Sequence, residues 1–140
     1  ASSATYETWS ERAMEFFRDI REGRIRYVYY KVSDCIEVAG IGEIGSANPY
    51  TEFCQGLPVD ECRFALFNWD MERPLITLVL WAPDNAKVKD KMLTSSCLDN
   101  FKQKAAPLAD AFAATDIAEI QLESVVDKLK TRYPSYERKW

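Results

Sequence analysis

The sequence predicts an α/β (α+β) fold with a central mixed β-sheet sandwiched between helices on both faces. The run Leu75–Trp81 consists of apolar and β-branched residues, as expected of a central strand that is buried on both faces. Pro83 cannot donate to a sheet ladder and biases Ala82 toward an extended conformation, so this strand ends there. A helix-type pattern follows at once. Strand-type and helix-type segments interleave along the chain, which is typical of layered folds.

The first half of the chain is predicted to contain two helices and two strands. Ser10 is a good N-cap for the first helix, whose apolar residues recur at helical spacing until Gly23 stops it. Strands are predicted over Ile25–Val32, which is rich in Tyr and Val, and around Cys35–Ile41. A loop rich in glycine and other turn-forming residues then leads into a short helix over Tyr50–Gln55.

The second half is predicted to begin with the strands Cys62–Trp69 and Leu75–Trp81, joined by a tight polar connection. A long helix follows from about Asn85 to Lys104, and Asp84 is suited to capping its first turn. One row of its residues, at about 3.6-residue spacing, suits the core: Val88, Met92, Ser96, Phe101 and Ala105. A second row has steps of four, seven and four residues: Lys87, Lys91, Leu98 and Lys102.

The C-terminal part is predicted to contain a final helix, about Leu122–Tyr133, with an apolar stripe at helical spacing. The polar tail, residues 134–140, is predicted to be mobile, and residues 1–8 are predicted to form a flexible N-terminal segment. Because 140 residues is a single-domain length, residues 9–133 are expected to form one domain.

Composition excludes several function classes. Without histidine, the chain lacks the commonest general base, the Ser–His and Cys–His nucleophile arrangements and the usual metal ligand. A net charge of -4 argues against general nucleic-acid binding. No apolar stretch approaches the roughly 18–20 residues that span a bilayer, and the N-terminus lacks the regions of a signal peptide, which favours the cytosol.

No catalytic residue, cofactor or metal is predicted, although two alternatives stay open. The four cysteines could form a zinc site, but none pair as Cys-x-x-Cys, and reduced, mostly buried thiols are the plainer interpretation. Four carboxylates could be arranged as the acid and base of a small enzyme: Asp84, Asp90, Asp99 and Glu123. Helix capping and surface solvation explain these carboxylates equally well, so a protein without enzymatic activity is predicted.

Residues 81–92 read Trp-Ala-Pro-Asp-Asn-Ala-Lys-Val-Lys-Asp-Lys-Met. This segment resembles the long actin-contacting helix of the actin-depolymerising factor (ADF)/cofilin family, whose pattern Trp-x-Pro-Asp-x-Ala-x-Val-Lys-x-Lys-Met it matches at every fixed position. Three further blocks agree in order and spacing: Phe17–Arg21 with Arg26–Val28, Tyr50–Phe53 with Glu61–Phe67, and Ala114–Ile120. The resemblance covers roughly residues 5–132 and implies a single ADF-homology domain. It also implies a last strand at Leu108–Ala114, although that segment is poor in strand-forming residues.

The resemblance implies that the long helix docks onto actin, an acidic protein, so that basic residues steer the encounter and apolar residues set its lifetime. Two positions depart from the family: Thr94 stands where Tyr is usual, and Leu98 where Lys or Arg is usual. We therefore expect a weaker salt dependence of binding. The implied contacts to monomeric actin are Ser3, Thr5, Tyr6, Lys87, Lys89, Lys91, Met92, Ser95, Leu98, Asp99 and Lys102.

Two kinds of regulation are implied by the same resemblance. In the family, phosphorylation of a serine near the N-terminus blocks actin binding, because added negative charge repels an acidic partner. Ser2 and Ser3 are the candidates here, although the glycine that usually follows is absent. Basic residues of the long helix also bind phosphoinositide headgroups in competition with actin, which implies such a role for Lys89, Lys91 and Lys102.

A separate filament-binding site is implied at the start of the fourth strand and on the last helix: Arg73, Asp127, Lys128 and Arg132. Arg73 matches the first basic position of the family, but Leu75 replaces the second. The connection Asp70–Pro74 is also shorter than the projecting loop of many members. We therefore expect filament binding to be weaker than monomer binding.

The resemblance thus implies a cytoplasmic actin-binding protein of the actin cytoskeleton, itself a monomer, that binds actin monomers in preference to filaments and promotes filament depolymerisation. Preference for ADP-bound actin is implied too. The alternative is the same fold acting on another actin-related partner, as in glia maturation factor, which binds the branching complex, or in coactosin-like proteins, which bind filaments only. The intact Val88-Lys89-x-Lys91-Met92 segment favours the ADF/cofilin branch.

Overall fold

A computed structural model of the chain describes residues 8–140 and confirms the predicted fold class. Five strands form one mixed sheet, and helices cover both of its faces. In chain order the elements are α1 Glu11–Arg21, β1 Ile25–Val32, β2 Ile36–Glu43, α2 Pro49–Gln55, β3 Arg63–Asn68, β4 Ile76–Trp81, α3 Val88–Ser96, α4 Leu98–Ala105, β5 Asp110–Ala114, a 3₁₀ turn Ile117–Ile120 and α5 Leu122–Arg132.

The strand order across the sheet is β2-β1-β3-β4-β5. The first four strands pair antiparallel, while β5 runs parallel to β4, with Thr77 opposite Asp110 and Trp81 opposite Ala114. A parallel neighbour requires a crossover connection, and α3 and α4 supply it. The predicted last strand is thereby confirmed, two residues shorter at its start than expected.

The sheet separates two hydrophobic cores. On one face, α1, α3 and α4 pack over a core in which Trp9 and Phe64 both stack on Phe101, at centroid distances of 4.8 and 4.4 Å. On the other face, α2, the 3₁₀ turn and α5 cover a second aromatic core that includes Tyr50 and Trp69, 4.8 Å apart. Surfaces built on α3 and on α5 therefore lie on opposite sides of the molecule.

Helix α1 begins and ends as predicted, because both of its termini carry the expected signals. The Ser10 hydroxyl accepts a hydrogen bond from the Ala13 amide at 3.1 Å. Gly23 follows the helix with a φ of +76°, a conformation that favours glycine.

The prediction of one long helix is wrong, because the helix is interrupted at Cys97, which separates α3 from α4. Two local hydrogen bonds tighten the end of α3: the Ser96 hydroxyl donates to the Leu93 carbonyl at 2.7 Å, and the Cys97 amide donates to the Thr94 carbonyl at 3.1 Å. The predicted start is wrong as well. Residues 83–86 form a turn, and α3 begins at Val88 with Lys87 as its N-cap, so Asp84 does not cap it.

The C-terminal tail, predicted to be mobile, contacts the rest of the domain through two aromatic residues, Tyr136 and Trp140. Tyr136 is buried, and its hydroxyl lies 3.5 Å from the Trp69 carbonyl oxygen. The Trp140 ring stacks on that of Trp69 at 5.7 Å, and the Arg26 guanidinium lies 4.9 Å from the Trp140 ring centroid. Two aromatic residues inside a polar heptapeptide were the signal that the average polarity of the tail concealed.

We predict that Trp140→Ala lowers the free energy of unfolding by about 1–3 kcal/mol, less than the loss at a fully buried aromatic residue, because Trp140 is only half-buried. Urea denaturation followed by circular dichroism measures this change. The exposed Lys130 of α5 provides the control, and Lys130→Ala should leave the midpoint almost unchanged. Equal midpoints for both variants would show that the tail does not stabilise the domain.

Candidate functional site

The outward face of α3 exposes two large apolar side chains. Val88 and Met92 have 71% and 68% of their surface accessible, although the sequence spacing placed both in the core. Ser96 is exposed too, so only Phe101 and Ala105 of that predicted row are buried. The sequence prediction for Val88 and Met92 is wrong because it assumes one continuous helix, whereas the helix breaks at Cys97. The residues that face the core here are Asp90, Thr94 and Cys97.

Five exposed residues follow one another along the broken helix at steps of four, three, four and three: Val88, Met92, Ser95, Asp99 and Lys102. Val88, Met92 and Ser95 share one face of α3, and Asp99 and Lys102 share one face of α4. We call these five residues the outward row. Four of them are monomer contacts implied by the sequence resemblance, and Val88 is an addition. Half of the eight implied contacts between Lys87 and Lys102 are therefore exposed residues of this row.

Lys89 and Lys91 reach in different directions from the outward row. Lys89 is exposed and lines a cleft of about 510 Å³ together with Lys87 and with Lys31 at the end of β1. Lys91 is half-buried, and its Nζ donates to the Asp84 carbonyl at 3.0 Å. Val88 and Met92 thus have a lysine on each side: Lys89 toward the cleft and Lys91 toward the turn that contains Asp84.

Leu98 is less exposed than the sequence pattern predicts. It is half-buried, packs against the core that α3 and α4 share with α1, and lines a cavity of about 170 Å³ with Lys102 and with Phe112 of β5. Much of this side chain therefore serves packing, and only part of it is available for docking.

Sequence analysis offered Asp90 as a possible acid or base, or as a solvated or capping carboxylate, whereas the structure places it between α3 and the sheet. The Asp90 Oδ2 atom accepts a hydrogen bond from the Cys62 amide at 2.8 Å, and Oδ1 accepts one from the Thr94 hydroxyl at 3.3 Å. Burial, together with the nearby Asp90 carboxylate, raises the pKa of the Cys62 thiol to about 11, so the thiol stays protonated at neutral pH.

The residues implied for filament binding lie on the opposite side of the sheet. Asp127 and Lys128 are exposed on α5, and the Lys128 Nζ lies 5.0 Å from the Phe112 ring centroid. Arg132 is engaged within the molecule, because its Nη1 donates to the Ala109 carbonyl at 2.9 Å and lies 3.9 Å from Asp110 Oδ1. Arg132 therefore ties the last turn of α5 to the start of β5.

Arg73 is exposed in the tight turn between β3 and β4, and a cavity of about 350 Å³ lies between this turn and the C-terminal tail. The Asp70 carboxylate accepts the Glu72 and Arg73 amides at 3.0 and 3.2 Å. Partial burial would raise the pKa of Asp70, but these two hydrogen bonds and the nearby Lys139 lower it overall. Sequence reasoning missed that the tail reaches this turn.

The N-terminal candidates Ser2, Ser3, Thr5 and Tyr6 lie outside the described residues. The described chain begins at Thr8, whose carbonyl accepts a hydrogen bond from the Ile36 amide at 2.8 Å. This bond places the entry of the chain beside the first residue of β2.

Within residues 8–140, no group of three or more His, Cys, Asp or Glu side chains is arranged to hold a metal ion. A mainly apolar cavity of about 440 Å³ lies between α2, the 3₁₀ turn and α5 and includes Cys54 and Leu122. Burial raises the pKa of the Cys54 thiol to about 11, which leaves it a poor nucleophile. Among the helices described, none has the length and apolar character required to cross a bilayer.

A mixed sheet between two helical layers, with a broken helix that exposes apolar and basic side chains, defines a binding protein built on the ADF-homology fold. Residues 8–130 match the family described as cofilin/tropomyosin-type actin-binding protein. The chain therefore belongs to the ADF/cofilin family, which consists of actin-binding proteins and not of enzymes. It is 32% identical over 128 residues to actophorin of Acanthamoeba castellanii, covering 86% of this chain and 93% of actophorin.

Solved structures agree with this assignment. Cofilin of Streptomyces griseoflavus superposes with a TM-score of 0.76 at 28% identity, covering 89% of this chain and 97% of that protein. Human coactosin-like protein and glia maturation factor of Caenorhabditis elegans superpose with TM-scores of 0.72 and 0.67, each at 18% identity. They cover 95% and 86% of this chain and 94% of each of those proteins. At that identity, these two likenesses show the fold alone.

We predict that Arg132→Ala speeds amide hydrogen exchange in β5 and lowers stability by about 0.5–1.5 kcal/mol, because it removes a charged hydrogen bond at a partly exposed site. Hydrogen-exchange mass spectrometry of the segment Asp110–Ala114 measures the effect. Asp127→Ala, an exposed change on the same helix, is the control and should leave β5 unaffected. Unchanged exchange in both variants would rule out this role for Arg132.

Proposed function

We propose that this chain binds monomeric actin through the outward row of α3 and α4, binds filaments more weakly and promotes filament depolymerisation. The observation that carries the proposal is the exposed pair Val88 and Met92 with Lys89 and Lys91 on either side. Apolar side chains exposed to this degree gain from burial against a partner, by about 25 cal/mol for each Å² removed from water. The lysines would steer the encounter with an acidic partner.

Internal contacts support the proposed weakness of filament binding. Arg132 already donates to the Ala109 carbonyl, and the Lys128 ammonium lies over the Phe112 ring. Leu75 is half-buried against the core and supplies no charge. Arg73 is exposed and lies near the Asp70 carboxylate, and Asp127 is exposed on α5.

The finer parts of the proposal derive from the family. We propose a preference for ADP-bound actin, a cytoplasmic location in the actin cytoskeleton and a monomeric protein whose domain comprises residues 9–133 together with the packed tail. Phosphorylation at Ser2 or Ser3 would oppose binding. Phosphoinositides would compete with actin for Lys89, Lys91 and Lys102, which carry their charge along the surface that actin would cover.

We predict that this protein raises the amount of actin in the supernatant when filaments are sedimented, with little of the protein itself in the pellet. The reason is the difference between an exposed monomer surface and a filament surface committed to internal contacts. The measurement is co-sedimentation across a range of protein concentrations. Stoichiometric pelleting with filaments would contradict the proposed weakness of the filament site. Pelleting without any rise in supernatant actin would favour the coactosin-like alternative, and no effect in either fraction would favour the glia maturation factor-like alternative.

We predict that the double variant Lys89→Ala, Lys91→Ala weakens binding to monomeric actin at least about tenfold, because both flanking charges are lost. Fluorescence titration of labelled actin measures the Kd, and thermal unfolding checks the fold. Lys104→Ala removes an exposed lysine of α4 outside the outward row and should change the Kd less than about twofold. Equal losses in the two variants would indicate that only net charge matters.

A further inference from the structure

The Asp90 carboxylate sits between two lysines in the sequence but points toward the sheet. Both of its oxygens are engaged within the molecule, Oδ2 by the Cys62 amide and Oδ1 by the Thr94 hydroxyl. Asp90 is half-buried, and Thr94 has only 2% of its surface accessible. These two residues therefore form a polar link beneath the surface that carries Lys89, Lys91 and Met92.

The other end of this link is held firmly. Cys62 is buried and comes directly before β3. Its carbonyl accepts a hydrogen bond from Arg63 Nη1 at 2.8 Å, and the same guanidinium pairs with Glu61 at 3.0 Å. Cys62 is thus held through its carbonyl as well as through its amide, and Asp90 ties the first turn of α3 to the start of a central strand.

Apart from this link, helix α3 is held by the half-buried Leu93 and by the buried Cys97 at its C-terminal end. Its N-cap, Lys87, forms no side-chain capping bond, and Thr94 is the single fully buried residue in its nine positions. A short helix with so little buried surface depends on polar contacts to stay in place.

We propose that Asp90 and Thr94 are positioning residues that orient α3 so that Met92, Lys89 and Lys91 face the partner. This inference rests on the proposed function, because it assigns the partner surface to α3. It also gives a role to Thr94, which stands where the family usually has Tyr, because its hydroxyl donates to Asp90 Oδ1 at 3.3 Å.

Positioning and charge make opposite predictions at residue 90. Removing the negative charge beside Lys89 and Lys91 strengthens the attraction to an acidic partner, whatever the replacement. Asp90→Asn removes the charge but keeps an oxygen for the Cys62 amide and a donor for the Thr94 hydroxyl, whereas Asp90→Ala removes both bonds. A positioning role therefore separates the two variants, and a purely electrostatic role does not.

The experiment measures the Kd for monomeric actin and the urea midpoint for each variant. Asp90→Ala should weaken binding about five- to tenfold, Thr94→Val about two- to fivefold, and Asp90→Asn should bind within about twofold of the unaltered protein or more tightly. Asp60→Ala is the matched charge control, since it removes an exposed carboxylate from the same cleft. Ile20→Val, a buried change in α1, is the stability control and should leave the Kd unchanged.

Each outcome decides the question. Equal weakening by Asp90→Ala and Asp90→Asn, or no weakening by Asp90→Ala, would overturn the inference. If the unaltered protein fails to bind actin, the proposed function fails by itself, and hydrogen exchange still tests the positioning role. Asp90→Ala should then speed exchange of the Lys91–Thr94 amides, and Asp90→Asn should not. Unchanged exchange in Asp90→Ala would sink the inference without reference to actin.

Discussion

The antiparallel pair β3–β4 is the constraint on which the rest of the structure depends. Phe64, Leu66, Phe67 and Leu78 are fully buried, so both faces of this pair must be covered by helices. Asn68 closes the pair: its Oδ1 accepts the Leu75 amide at 3.0 Å, and its Nδ2 donates to the Ile20 carbonyl at 3.2 Å. The same pair sets both candidate surfaces, since Arg73 lies in its turn and α3 follows the end of β4.

Much of the fold could be predicted from the sequence because strong local signals agree with the tertiary structure. The Ser10 cap, the apolar run of β4 and Pro83 as its end each act over a few residues. The break at Cys97 could not be predicted in this way, since it depends on a buried thiol and on hydrogen bonds of Ser96 that no periodicity reveals. The contacts of the tail were missed for a related reason. Tyr136 and Trp140 both contact Trp69, and this depends on the tertiary structure and not on the average polarity of the tail.

The candidate site was predicted in part: the sequence motif identifies some of its residues, whereas contacts that depend on the tertiary structure were missed. Motif matching identified Lys89, Lys91 and Met92, and the exposure of Met92 agrees with a contact role. Helical phase then assigned Val88 to the core, because a pattern read through a break loses its register. The link between Asp90 and Cys62 joins residues 28 positions apart, and sequence spacing carries no information on such a contact.

The two surfaces differ in what their side chains already bind. On α3, Asp90 and Thr94 face inward and share internal hydrogen bonds, and Lys91 is engaged on the Asp84 carbonyl. Lys89, Val88 and Met92 remain exposed. On α5, the cations themselves are engaged, with Arg132 on the Ala109 carbonyl and Lys128 over Phe112. A cation must give up such contacts to bind a partner, and that loss subtracts from the affinity it gains. The proposed preference for monomers over filaments therefore follows from how each helix is attached to the sheet, beyond the number of charges that each one carries.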